Sequence, residues 1–249
     1  MPRYRLTLEY DGTPFLGWQM QAGCPSVQGR LVDAIEKLTG TRPEVRGAGR
    51  TDSGVHALGQ VAHVDLPKAY PLHVVREALN YHVRPAPIAV LNVEEVPETF
   101  DARFSAIKRH YLFRILARRA PPALEKNRVW WVPQALDVER LKAAAPRFLG
   151  RHDFTTFRAA GCQAKSPIKT LDRFDVTQVG EEIHIYVSAQ SFMHHQVRSM
   201  VGSLKLVGEG KWSADGLSAA LEAKDRSRCG PVTPPSGLYL LRVDYAELF

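Results

Sequence analysis

Two stretches of this 249-residue chain, RLVDAIEKLTG at 30–40 and RLKAAAPRFLG at 140–150, carry Arg, Leu, Ala and Gly at the same places. At nearly the same offset, VRGAGRT (45–51) lies against FRAAGCQ (157–163). Chance supplies any one such match. Two in near register suggest a chain of two related halves, residues 1–106 and 107–249. A chain repeated in this way is restricted to folds whose element order can be laid down twice.

The element order follows from hydrophobic periodicity. RYRLTLEY (3–10) sets Tyr4, Leu6, Leu8 and Tyr10 against polar neighbours, which predicts a half-buried strand. Ser26 caps a helix with Val27, Leu31, Ala34, Ile35 and Leu38 inward, and Gly40 ends it. Strands follow at 60–66, 88–96 and 109–116, with a helix over 71–80 that starts at Pro71. The second half gives a helix over 137–149, with Pro146 as an interior blemish, and a hairpin over 170–189 turning near Gly180. Helices over 192–208 and 214–223 and a closing strand over 237–245 complete it. This order predicts an α+β fold: a mixed, mostly antiparallel sheet, helices packed on one side, and a basic cleft between the halves.

Composition narrows the class. No apolar run approaches the roughly 20 residues that span a bilayer, and MPRYRLTLEYDG lacks the apolar core of a signal peptide. Cys24, Cys162 and Cys229 are odd in number and widely spaced, with no CxxC pair. That is neither a disulfide framework nor a zinc signature, and it fits a reducing cytoplasm. A net charge of +7, carried by 23 Arg against 10 Lys, favours a polyanionic partner, because the planar guanidinium fork matches phosphate and base edges.

GRTDSGVHALGQ (49–60) places Gly49, Gly54 and Gly59 within twelve residues, so it reads as a loop that bends sharply or lies close to something else. Within it, Asp52 follows Arg50. A turn aspartate bonding its own backbone satisfies that spacing. So does an ionised carboxylate, kept charged by a nearby cation, acting as nucleophile or base. The residues alone favour the turn. RFSAIKRHYLFRILARR (103–119) carries Arg103, Lys108, Arg109, Arg114, Arg118 and Arg119 with interleaved aromatics and no acid, a strip suited to phosphates and exposed bases or to guarding a strand edge. Arg158, Lys165 and Lys169 extend it on the other half, while Arg50 and His56 flank the Asp52 loop. His194 and His195, adjacent in a predicted helix, do not share a face and make a poor metal pair, so no metal is assigned. No GxxxxGK[ST] occurs.

GRTDSGVHA resembles the signature loop of the TruA family of tRNA pseudouridine synthases. YDGTPFLGWQ (10–19), RFSAIKRHYLFRI (103–115), HDFTTFRAAGCQAKSPIKTL (152–171), SFMHHQVRSMVG (191–202) and PPSGLYL (234–240) resemble further blocks of that family, in its order. Gln196 stands where the family often has Met. The resemblance implies that Asp52 is the catalytic carboxylate, that Arg198 pairs with it across the cleft, and that Tyr111 stacks on the target base and takes part in proton transfer. The pseudo-repeat puts Ala164 where the first half has Asp52. The resemblance further implies a cofactor-free, cytoplasmic isomerase acting on tRNA uridines 38, 39 and 40 of the anticodon arm, as a homodimer. A nucleoside hydrolase is the rival enzyme class, though no second carboxylate accompanies Asp52. A non-catalytic RNA-binding module is the rival outside enzymes.

Overall fold

The structure is a computed structural model that describes residues 1–246; the last three positions of the predicted second half lie outside the described residues. The chain divides into two compact units, Met1–Arg109 together with the chain from Tyr239 onward, and His110–Leu238. The first runs β1 (Arg3–Tyr10), α1 (Val27–Thr39), β2 (Arg46–Gly47), β3 (His56–Asp65), α2 (Leu72–His82) and β4 (Ile88–Val96). The second takes β5 (Ala106–Ala117) from His110 on, then β6 (Trp130–Val132), α3 (Val138–Ala144), β7 (Gly150–Asp153), β8 (Ile168–Val179), β9 (Glu182–Ala189), α4 (Gln196–Gly208) and α5 (Ala214–Glu222). The closing strand β10 (Leu238–Tyr245) belongs, from Tyr239, with the first unit. The architecture is mixed α+β and mostly antiparallel.

In the first unit β1 pairs antiparallel with β3 and β4, while β10 lies parallel to β3, Tyr239 opposite His56. Tyr4, Leu6, Leu8 and Tyr10 are buried with Val27, Leu31, Ala34 and Ile35 of α1. Removal from water contributes about 1.5–3 kcal/mol for each large apolar side chain of this kind. Ser26 caps α1, its oxygen accepting the Gly29 N–H, and Gly40 closes it in the left-handed region at φ 72°. A smaller cluster unites Ala48, Val61, Val96, Phe100 and Ala102 with Val243 and Tyr245. It buries Val61, whose neighbours Gln60 and Ala62 point the other way, so β3 is covered on both faces.

In the second unit Asp137 caps α3, and at Pro146 the helix tightens into a short 3-10 turn, Ala145–Phe148, because proline lacks the N–H the α-helix needs. Gly150 then adopts φ 91° at the start of β7. β8 and β9 form the predicted hairpin through Gly180 at φ 60°, burying Leu171, Phe174 and Val176 with Ile183, Ile185 and Val187. α4 starts at Gln196, four residues later than predicted. His195 sits at φ 60°, a left-handed conformation no helix accepts, and the Gln196 side chain takes the Met193 N–H.

Candidate active site

Asp52 lies in the loop between β2 and β3 of the first unit, half-buried, and its position is set by a second loop, residues 11–18. The Trp18 N–H donates to Thr51 O at 3.1 Å, the Gly54 N–H to Phe15 O at 3.3 Å, and Ser53 Oγ to the same Phe15 carbonyl at 3.3 Å. The turn closes through Val55 N–H to Asp52 O at 3.1 Å, with Gly54 at φ 75°. The two loops approach so closely that a Cβ on Gly17, itself at φ 95°, would fall 2.6 Å from Thr51 O, and one on Gly12 would fall 2.0 Å from Val55 O. Only glycine permits that contact.

Beneath the loop lies a buried polar relay. Tyr10 Oη and Thr51 Oγ1 are 2.8 Å apart, and Gln60, fully buried, donates from Nε2 to Gly49 O at 2.9 Å and to Tyr10 Oη at 3.4 Å. Burial pushes the Tyr10 phenol up to about 12 against the opposing pull of its Thr51 and Gln60 bonds, so at neutral pH it is a fixed hydroxyl. Tyr10 and Gln60 read in the sequence as a core tyrosine and an unremarked strand residue. Their signal was the polar residue at an inward strand position, which needs a partner when buried.

The other candidates of the first unit are disposed differently. His56 is buried, stacks on Tyr239 with ring centroids 4.7 Å apart, and sets Nδ1 3.0 Å from Gly12 N and 3.2 Å from Asp11 Oδ1. It braces the 11–12 turn from inside. Arg50 is exposed. Arg109 points inward and is buried, with Nη2 donating to Ala48 O at 2.8 Å and Arg103 O at 2.6 Å, and Nη1 to Ala106 O at 3.2 Å. Three carbonyls occupy the fork that the sequence offered to phosphate.

In the second unit Tyr111, on β5, is half-buried and meets the Phe192 ring edge-on at 5.1 Å. Arg198 stands in the first turn of α4, and its Nε donates to Thr233 O at 2.8 Å. The segment around Pro231 lies tight along α4 because a Cβ on Gly202 would fall 1.7 Å from Pro231 O. Arg158 is turned back on its own loop, Nη2 donating to Cys162 O at 2.7 Å and Ala164 O at 2.8 Å. Burial acts to raise the Cys162 thiol, but the Ala164 and His194 N–H groups and Arg158 outweigh it and hold it low. Lys165 and Arg119 are exposed, and Arg118 pairs with Glu181 at 2.6 Å. His194 and His195 precede α4 rather than lying in it, their rings 3.9 Å apart, so the helix-face argument against the pair does not apply.

Comparison with known proteins bears on this set. The family model described as tRNA pseudouridine synthase matches residues 7–105 and 144–246. The tRNA pseudouridine synthase A of Rhizobium leguminosarum bv. trifolii is 60% identical over 250 residues, covering 100% of this chain and 93% of its own. That of Paramagnetospirillum magneticum is 62% identical over 246 residues, covering 99% and 96%. Among solved structures, a chain of a Cbf5–Nop10–Gar1 complex aligns with a TM-score of 0.38 at 13% identity; the alignment covers 95% of this chain and 48%, about half, of that one. With the family model matching most of the chain and relatives this similar from end to end, the chain belongs to the tRNA pseudouridine synthase family.

Proposed function

We propose that this chain converts uridines 38, 39 and 40 of the tRNA anticodon arm to pseudouridine, with Asp52 as the catalytic carboxylate. The reaction breaks the bond from uracil N1 to the ribose carbon, turns the base, and joins C5 to that same carbon; N1 gains a proton and C5 releases one to water. Nothing is oxidised and no phosphate moves, so the chemistry asks for a carboxylate to capture the sugar or the base, a cation to hold its charge, and an aromatic face. We assign these roles to Asp52, Arg198 and Tyr111. The observation that supports the reading most is the double clamp on Asp52: a loop held flush from one side by residues 11–18 and from below by Tyr10 and Gln60. Such bracing is what a preorganised nucleophile requires.

Arg50, Arg118, Arg119 and Lys165 are the proposed phosphate contacts, while His56, Arg109 and Arg158 act by bracing. Reaching three adjacent positions with one site calls for recognition by shape and phosphate, and for a target base turned out of its stack. We further propose a cytoplasmic enzyme working as a homodimer. Among the described residues no helix is long and apolar enough to cross a membrane.

The test uses tRNA carrying tritium at uracil C5. Wild-type protein releases label to water and keeps the base on the RNA, whereas a hydrolase frees uracil and a binder does neither. Asp52→Asn is expected to abolish release while tRNA affinity stays within a few-fold, since affinity rests on the basic surface. Substantial activity in that variant removes Asp52 from the mechanism.

A further inference from the structure

We propose that Phe104 is a stacking platform for an unpaired base of the tRNA, a role that rests on the reading above and adds a recognition surface to it. Phe104 is 80% exposed. A lone apolar side chain in water needs no explanation; a rigid backbone that holds it there does. Asp101 Oδ1 accepts the N–H groups of Arg103 at 2.8 Å and Phe104 at 2.9 Å. The Ser105 N–H returns to Asp101 O at 2.9 Å, and Ser105 Oγ accepts the Asp101 N–H at 3.0 Å. Ala102 gives its N–H to His63 Nδ1 at 3.0 Å and receives the Tyr245 hydroxyl on its oxygen at 2.7 Å. Arg109 takes the Arg103 carbonyl at 2.6 Å.

The outcome is a loop with Phe100 turned fully inward and Phe104 fixed outward. The Arg103 guanidinium sits 5.5 Å from the Phe104 ring centroid, so the tip offers a π face and a cation together. That pairing suits a base and its phosphate on an anionic strand better than an apolar protein surface, and the chain's +7 charge points the same way. The tip is also tied to the chemistry, because the same Arg109 nitrogen holds Ala48 O at 2.8 Å, four residues before Asp52.

Phe104→Ala is expected to raise the KM and Kd for tRNA about tenfold, or about 1.4 kcal/mol. The value of kcat, the thermal midpoint and the slope of affinity against salt should hold, because a neutral exposed ring stacks equally in ground and transition states and releases no counterions. Phe104→Trp should preserve affinity, and Phe104→Leu should fall with Ala despite its apolar area. Tyr81→Ala, which removes a 70% exposed aromatic on α2, serves as control and should match wild type. Wild-type KM in Phe104→Ala overturns the inference, as does full rescue by Leu. So does a loss that disappears at high protein concentration with a changed oligomeric state, which would mean that a second copy covers Phe104. Wild-type protein inactive on tRNA would overturn the functional reading itself, whereas an active wild type with an unaffected Phe104→Ala sinks this inference alone.

Discussion

Gly17 illustrates how the placement of Asp52, the proposed catalytic carboxylate, depends on residues far from it in sequence. Its φ of 95° and the 2.6 Å that would separate a Cβ from Thr51 O leave no room for a side chain. Gly17→Ala is therefore expected to cost about 2–4 kcal/mol of stability, from backbone strain and displaced carbonyl together, and to lower kcat at least tenfold with Kd for tRNA near wild type. Denaturant midpoints and tritium release check both. Tyr10 makes a pH prediction. Its folded-state pKa, about 12, lies above the usual phenol value of about 10, so the folded state keeps the proton longer than the unfolded chain does. Stability present below pH 10 should decline by on the order of 2 kcal/mol between pH 10 and 12. Tyr10→Phe should remove that alkaline component, read from denaturant midpoints at stepped pH; an identical slope in both proteins would refute it. The sequence left open at this scale whether the Asp52 loop bends sharply or lies against something else, and it did not say which glycines matter. Gly49 has open space around its Cβ direction, whereas Gly12 and Gly17 carry the approach from the facing loop. Arg109 was illegible for the same reason, since spacing cannot tell an inward guanidinium from an outward one.

Periodic elements were legible to within four residues, β3 beginning at His56 rather than 60 and β5 at Ala106 rather than 109, and the failures have local causes. β1 and β4 fall where alternation put them, and Pro146 marks where α3 tightens. α4 was placed too early because apolar spacing continues back to Phe192 while His195 takes a left-handed turn that spacing does not encode. β6, β7 and β2 have two to four residues each, too few to establish a period. The basic strip 103–119 is the more instructive case. It contains no acid in sequence, yet Arg114 meets Glu182 and Glu125, and Arg118 meets Glu181. Arg119→Ala should therefore lower the slope of log affinity against log salt by about one, and Arg118→Ala by clearly less, since Glu181 already screens that cation. Equal effects would mean that the Arg118–Glu181 pair opens on the RNA; no effect from Arg119 would put this strip off its path.

Across the whole molecule the two aligned glycines serve different ends: Gly40 closes α1 as its C-cap at φ 72°, whereas Gly150 at φ 91° opens β7, one residue past the Leu149 cap of the 3-10 turn. What the sequence could not announce was where the final strand goes. A strand's pattern declares that it is a strand but never names its neighbour, and β10 sets Tyr239 beside His56 and Leu240 beside Ala57. A Cβ on Gly59 would fall 2.6 Å from Leu241 O, so that seam is tight as well. On a ribosome adding 5–20 residues per second, the hydrogen-bonding groups at the start of β3 wait roughly ten to forty seconds for a partner made about 180 residues later. The nascent protein thus carries an unfinished edge directly downstream of the Asp52 loop until β10 emerges to cover it.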